Sequence, residues 1–191
     1  MLVAVLCGVL LWSLGLFHFG KQPTPPNDPN ARPREVAPRG PLAAEEAERV
    51  AVYKNCKPCV VNVDTLVYSQ RGLQGVQEER QGTGSGFFWD DEARIVTNFH
   101  VIRDALALSR GKVVVAPGRR IMVTLASGES IEAQLVGIAP DNDLAVIKLK
   151  QVPQEGLKKI TVGSSHDLEV GYTVYAIGSP YGQSFTFTHG I

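Results

Sequence analysis

Apolar and polar positions follow three different patterns along the chain, and each pattern predicts a different kind of element. Residues 1–20 form an apolar run without a charged side chain. Leu42–Cys56 consists mainly of helix formers, with acidic side chains near its start and a lysine near its end, which predicts a helix. From Val60 onward, short apolar runs punctuated by glycine predict β-strands.

The runs after Val60 fall into two groups. Six of them lie before residue 151, and six antiparallel strands with half-apolar alternation predict a closed barrel. A polar stretch, residues 151–159, then precedes three runs that predict the beginning of a second sheet. The first group is Val60–Val67, Gly84–Trp89, Arg94–Val101, Ile121–Ala126, Ile131–Ile138 and Leu144–Leu149, and the second is Ile160–Val162, Tyr172–Ile177 and Ser184–Thr188.

The first twenty residues are long enough, as a helix of about 30 Å, to cross the hydrocarbon core of a bilayer. We predict a membrane anchor over residues 1–20. The alternatives are a signal peptide, although neither a basic n-region nor a small-residue cleavage site is visible, and a buried core helix. Seven of the 12 prolines fall between Pro23 and Pro41, so residues 21–43 are predicted to be an extended linker.

The charge balance narrows the choice of partners. Lys plus Arg and Asp plus Glu both number 19, so the formal net charge is zero. A general nucleic-acid binder would carry a basic excess, and we therefore predict no nucleic-acid partner. The local exception is the stretch 108–120, which contains four basic residues. It predicts a solvated hairpin, with a regulatory or lipid-facing loop as the alternative.

The candidate chemistry centres on His100 and Asp143. His100 follows an apolar strand, and Asp143 opens another strand directly after a turn. A histidine that acts as a general base needs a carboxylate on its other ring nitrogen, which fixes the tautomer and stabilises the imidazolium. Strand ends hold side chains in fixed positions and therefore suit such a pair. The spacing alone is also compatible with a purely structural pair.

Four blocks, GTGSGFFWD, IVTNFHVI, NDLAVIKL and LEVGYTVYAIGSPYG, occur in this order. With them, the sequence from about residue 44 to its end resembles the HtrA/Deg family of trypsin-like serine proteases. The resemblance implies an all-β double barrel, with a complete first barrel at 44–151 and an incomplete second barrel at 152–191. It also implies that His100 is the catalytic histidine and Asp143 the triad aspartate, while Asp141 is the less favoured acid.

The resemblance further implies a serine endopeptidase of protein quality control that degrades unfolded or misfolded proteins. A homotrimer, without metal or organic cofactor, is implied as well. The family's nucleophile is a serine in a Gly-Asn-Ser-Gly-Gly-type loop, which is absent from these 191 residues. We therefore expect a fragment without a nucleophile that is inactive by itself. The alternative is a membrane-anchored, non-catalytic binding or scaffold protein.

The basic residues that follow the apolar run bear on localisation. By the positive-inside rule alone they would leave the folded part in the cytoplasm. The resemblance instead favours a membrane-anchored protease part on the periplasmic or another non-cytosolic side, and we prefer this prediction.

Ser85 lies within Gly-Thr-Gly-Ser-Gly, which invites interpretation as a nucleophile motif. The G-x-S-x-G pattern requires glycine two residues before the serine, and Thr83 stands there instead. We predict that these glycines allow close packing and a bend in the barrel.

Cys56 and Cys59 form a C-x-x-C pair directly after the predicted helix. A thioredoxin-like pair would open a helix, so the sequence leaves ordinary packing, a local disulfide, and a redox or metal role as alternatives.

Overall fold

The computed structural model describes residues 32, 35–70, 76–154, 156–179 and 185–191. The chain separates into two compact units, residues 1–41 and residues 42–191. The described part of the first unit contains neither helix nor strand. The predicted anchor over residues 1–20 lies outside the described residues, and among those that are described no helix is both long and apolar enough to cross a membrane.

The second unit opens with helix α1, Ala44–Cys56, which confirms the predicted helix to within two residues. Its first turn carries Glu45 and Glu46 and its last turn carries Lys54, so these charges complement the helix dipole. None of its side chains is fully buried, and α1 therefore packs at the periphery. A 3-10 turn, Lys57–Cys59, leads from the helix into the first strand.

Six antiparallel strands close into a barrel, as the sequence predicts. Alternate side chains point inward, and those of Val61, Val63, Ile95, Ile121, Val123 and Ile147 are completely buried. The barrel strands are β1 (Val60–Gln70), β2 (Val76–Phe88), β3 (Arg94–Thr97), β6 (Arg119–Thr124), β7 (Ser130–Ala139) and β8 (Leu144–Leu149). Around the barrel they follow the order β1-β2-β3-β8-β7-β6.

One of the predicted barrel strands is wrong in its second half. The run Arg94–Val101 leaves the sheet after Thr97, and Phe99–Ile102 forms a single helical turn, α2. Asn98 between them is extended, with φ −78° and ψ 145°. The residues of α2 have high strand propensity, but hydrogen bonds to another part of the barrel, described below, override it.

The predicted hairpin is present and begins two residues before the basic stretch 108–120. Strands β4 (Leu106–Ser109) and β5 (Lys112–Val115) pair with each other and with no other described strand. Arg110 and Gly111 at the turn both have positive φ, 51° and 77°, as a tight two-residue hairpin turn requires.

The last part of the chain forms a small separate sheet. Strands β9 (Val174–Gly178) and β10 (Thr186–Gly190) pair antiparallel with each other. The predicted strand Ile160–Val162 is wrong, because these residues form no sheet ladder. Instead, the Ile160 N–H donates an isolated hydrogen bond of 3.0 Å to the Phe88 carbonyl at the end of β2.

Candidate active site

The helical turn α2 carries His100, and it is held by Asp143 at the start of β8. The backbone N–H of Phe99 donates to the Asp143 carbonyl at 3.1 Å. The backbone N–H of His100 donates to Asp143 Oδ1 at 2.9 Å. The first N–H groups of a helix have no partner within the helix, so these bonds both satisfy α2 and fix its place on the barrel.

The side chains of His100 and Asp143 also meet. His100 Nδ1 lies 2.6 Å from Asp143 Oδ2, so the hydrogen bond expected between them is present. With Nδ1 directed at the carboxylate, Nε2 is the ring nitrogen left for a reacting group, and within the described residues it has no hydrogen-bond partner. Asp141, the less favoured acid, lies in the 3-10 turn Pro140–Asn142 and makes no hydrogen bond to His100.

A third residue, Asn98, holds the carboxylate from another side. Its Nδ2 donates to the Asp143 carbonyl at 3.1 Å and to Asp143 Oδ2 at 3.2 Å. Asp143 has left-handed backbone angles, φ 52° and ψ 41°, which an aspartate tolerates better than most residues. The sequence pattern assigned no role to Asn98. Its position two residues before His100 was the available signal, but only the fold shows what its amide contacts.

These donors set the charge of Asp143. The backbone N–H of His100, followed by the His100 side chain, lowers the pKa of the Asp143 carboxyl below its ordinary value, with Asn98 adding to the effect and burial opposing it. The carboxylate is therefore ionised at neutral pH, which is the state that orients and stabilises an imidazolium.

Two glycines of β2 allow α2 to approach the barrel closely, and a third makes room for a side chain of β3. A Cβ on Gly82 would lie 2.5 Å from the Val101 carbonyl oxygen, and one on Gly84 would lie 2.4 Å from Val101 Cγ2. A Cβ on Gly86 would similarly lie 2.8 Å from a side-chain carbon of Ile95. The prediction that these glycines serve close packing is confirmed, and Val101, next to His100, is the residue that Gly82 and Gly84 accommodate.

Ser85, between two of these glycines, has a structural role in the described contacts. Its Oγ accepts a hydrogen bond of 2.8 Å from the backbone N–H of Ser179. Gly178 faces the same oxygen so closely that a Cβ there would lie 2.9 Å from it. Ser85 thus ties the end of β9 to the barrel, and it makes no hydrogen bond to His100.

The pair is open to solvent on the side away from the barrel. The side chains of His100 and Asp143 are 59% and 45% exposed. A cavity of about 270 Å³ lies between the ends of β2 and β3 and strand β9, and it reaches Asn98, which contacts Asp143, but is not lined by His100 or Asp143. Its lining includes Ser85, Thr97, Asn98, Leu144 and Ile177.

Comparison with known proteins places the chain in a family. The sequence model described as "Trypsin-like peptidase domain" matches residues 84–191, more than half of the chain. The chain is 38% identical over 151 residues to Protease Do-like 1, chloroplastic, of Arabidopsis thaliana, covering 78% of this chain and 31% of that protein. It is 39% identical over 120 residues to a probable periplasmic serine endoprotease DegP-like of Halomonas elongata, covering 63% and 22%.

A solved structure agrees with these sequence matches. The crystal structure of Deg5 matches with a TM-score of 0.59 and 37% identity, over 78% of this chain and 64% of that one. The fold and the matches together define a trypsin-like peptidase, and the chain belongs to the HtrA/Deg family within that class. It spans less than a third of the length of the two curated relatives named above.

Proposed function

We propose that this chain carries the histidine–aspartate half of the active site of an HtrA/Deg-type serine endopeptidase. The observation that supports the proposal best is the 2.6 Å contact between His100 Nδ1 and Asp143 Oδ2. It leaves Nε2 directed away from the carboxylate, and Asn98 and the His100 backbone N–H hold that carboxylate in place.

In the proposed reaction, His100 Nε2 accepts the proton of a serine hydroxyl while the serine oxygen attacks the carbonyl carbon of a peptide bond. The imidazolium then gives this proton to the leaving amine, and an ester between serine and substrate remains to be hydrolysed by water. Asp143 stays ionised throughout, fixes the tautomer and stabilises the imidazolium.

We infer that the nucleophile is not among the described residues, and that the 191-residue chain alone does not cleave peptide bonds. Two observations support this inference. The Oγ of Ser85, the serine in the glycine-rich motif, accepts a hydrogen bond from the Ser179 N–H and makes none to His100. Furthermore, no described serine donates to His100 Nε2.

The remaining features of the protein are proposals as well, and they rest on the family except for residues 1–43, where they rest on the sequence pattern. Substrates are unfolded or misfolded proteins, and the assembly is a homotrimer. Residues 1–20 anchor the protein in a membrane, residues 21–43 form the linker, and residues 152–191 begin the second barrel after the first at 44–151. The protease part faces a non-cytosolic compartment. Two relatives, one named a periplasmic and the other a chloroplastic protease, favour such a location.

The decisive experiment reads the coding sequence past the codon for Ile191 and tests the complete product. We expect a Gly-x-Ser-Gly-Gly loop, labelling of its serine by a fluorophosphonate probe, and cleavage of unfolded casein. His100→Ala and Asp143→Asn should each lower the cleavage rate by about 10⁴-fold. Asp141→Asn removes the same charge from the same turn and should leave the rate nearly unchanged.

Two outcomes would contradict the proposal: a reading frame that closes at Ile191, or full cleavage by the His100→Ala variant. The first would favour the non-catalytic binding or scaffold protein. A parallel assay on the 191-residue chain tests the inference about the nucleophile, because labelling of Ser85 or casein cleavage above background would show it to be wrong.

A further inference from the structure

We propose that Cys56 and Cys59 are an oxidative cross-linking site, where a low-molecular-weight disulfide converts the two thiols into one intramolecular disulfide. The cross-link would join the last residue of α1 to the residue that precedes β1. The proposal is independent of the proposed peptidase function, because neither cysteine contacts His100 or Asp143.

The backbone supplies the geometry. Cys56 ends α1 and Cys59 ends the 3-10 turn that continues it, and both Cys56 and Lys57 have right-handed helical angles. Residues three apart are separated at Cα by about 5 Å in an α-helix and about 6 Å in a 3-10 helix. A disulfide spans roughly 4.4–6.8 Å between Cα atoms, and side chains at this spacing point to the same side.

The two thiols differ in access, which assigns them different roles. Both are free. Cys56 is half-buried and lines an apolar cavity of about 500 Å³ with Val52, Val60 and Trp89, among others. Cys59 is 3% exposed, and its Sγ faces the Lys159 carbonyl at 3.6 Å. A dissolved reagent therefore reaches Cys56 first, and Cys59 is the resolving thiol.

The reaction balances with a small disulfide such as oxidised glutathione as the oxidant. Cys56 gives its proton to water, and its thiolate attacks one sulfur of the reagent and displaces the other as a thiolate. Cys59 then gives up its proton, attacks Cys56 Sγ in the mixed disulfide and displaces the second thiolate. The protein loses two electrons and two protons, and the reagent is reduced to two thiols.

The surroundings predict a cross-link that persists once it has formed. A strongly oxidising pair owes its potential to a stabilised thiolate in the reduced form, often at a helix N-terminus. Here the pair lies at the C-terminal end of α1, where the helix dipole disfavours negative charge. Burial also raises the pKa of the Cys59 thiol, Lys158 opposes this effect, and Cys56 adds to it. Neither influence stabilises the reduced pair as a thiolate.

The test uses the full chain, incubated with oxidised glutathione at mildly alkaline pH, then denatured, alkylated and digested with trypsin. Both cysteines fall within one peptide, residues 55–71, because trypsin does not cut before Pro58. We expect this peptide to be two hydrogens lighter and to carry no alkyl group, while Cys7 remains alkylated. The cross-link should survive transfer to a buffer with equal reduced and oxidised glutathione.

Variants separate the two roles. Cys59→Ser should trap glutathione on Cys56, because the resolving thiol is gone. Cys56→Ser should acquire glutathione on Cys59 at least tenfold more slowly than Cys59→Ser acquires it on Cys56. The wild-type peptide mass decides the proposal even if a variant fails to fold. Three results would each overturn the proposal: two alkylated thiols in that peptide after oxidation, a lasting glutathione adduct on Cys56, or a disulfide to Cys7.

Discussion

The closed barrel and the segment after it, residues 152–191, carry similar apolar alternation but bury it to very different degrees. Inside the barrel, Val63, Ile95, Ile121 and Ile147 have no exposed surface. In the later segment, Val162, Leu168, Val170 and Val174 are all more than half exposed. Val174 belongs to β9, which pairs with β10 alone among the described strands, and the other three residues lie outside any strand.

This difference in burial separates two parts of the candidate site, the His100–Asp143 pair and the cavity next to Asn98. His100, Asp143 and Asn98 all come from the barrel, and every hydrogen bond among them is made within it. The opposite wall of the adjoining cavity includes Ile177 of β9. The geometry of the pair thus depends on a well-packed core, whereas the shape of the cavity depends on a weakly packed sheet.

Hydrogen exchange should give the largest contrast between the two regions. Each large apolar side chain left in water forgoes about 1.5–3 kcal/mol, and a few of them compare with a domain's net stability of roughly 5–15 kcal/mol. Amides in β3 and β8 should therefore be protected at least about a hundredfold more strongly than those in β9 and β10. The measurement needs a concentration at which the chain is monomeric, and equal protection would show that the sheet is as stable as the barrel.

Gly82→Ala should damage the better-packed region. The added Cβ would lie 2.5 Å from the Val101 carbonyl oxygen, which also accepts a 3.0 Å hydrogen bond from Thr65 Oγ1. Because backbone must move, we expect a loss of about 1–3 kcal/mol in the free energy of unfolding, measured by urea titration. Gly137→Ala is the matched control, since no atom lies within 4 Å of its added Cβ, and it should stay within about 0.5 kcal/mol of the parent. Equal losses in the two variants would contradict the packing role of Gly82.

The barrel was predictable because its strands alternate in period two, and Leu144–Leu149 was predicted with the observed bounds. Strand β2 was predicted to start at Gly84 and starts at Val76, because its charged and polar first part has weak strand propensity. Gly82 in this part faces Val101, a contact that the sequence pattern does not encode.

For the candidate site, the resemblance identified His100 and Asp143, and the residues alone suggested only a pair. The helical turn around His100 escaped prediction because tertiary hydrogen bonds to Asp143 create it. The roles of Asn98 and Ser85 likewise depend on partners 45 and 94 residues away in sequence. Local pattern carries no information about contacts at that separation.

Ser85→Ala should weaken β9 selectively, because it removes a hydrogen bond between β9 and the barrel. Without the hydroxyl, the Ser179 N–H loses its 2.8 Å acceptor, at a cost of about 0.5–1.5 kcal/mol. We expect faster exchange of amides in β9 and little change in β3 and β8. Ser130→Ala removes an exposed hydroxyl from β7 and serves as the control that should leave β9 unaffected. Unchanged exchange in β9 would mean that Ser85 does not hold the strand.

Acid should weaken the His100–Asp143 pair before it affects the barrel core, and this effect should be the smallest because both side chains are about half exposed. The pKa of Asp143 is lowered in the folded chain, relative to about 3.9 for an unfolded aspartate. Folding therefore favours the ionised carboxylate. Its stabilising contribution is complete above the pKa of the unfolded chain and is lost as the pH falls through the lower pKa of the folded chain. The difference in unfolding free energy between the parent and Asp143→Asn should be largest near neutral pH and shrink below about pH 4.

Carbon NMR of the Asp143 carboxyl provides the direct measurement of this last effect. Its titration midpoint should lie below about 3.9 in the parent and move toward that value in Asn98→Ala, which removes one donor to Oδ2. Asp141→Asn removes a charge two residues away without removing a donor, so it should move the Asp143 midpoint less than Asn98→Ala does. A parent midpoint at or above the ordinary value would mean that the donors around Asp143 do not stabilise its charge. The proposed role of Asn98 as the residue that positions the carboxylate would then have no electrostatic support.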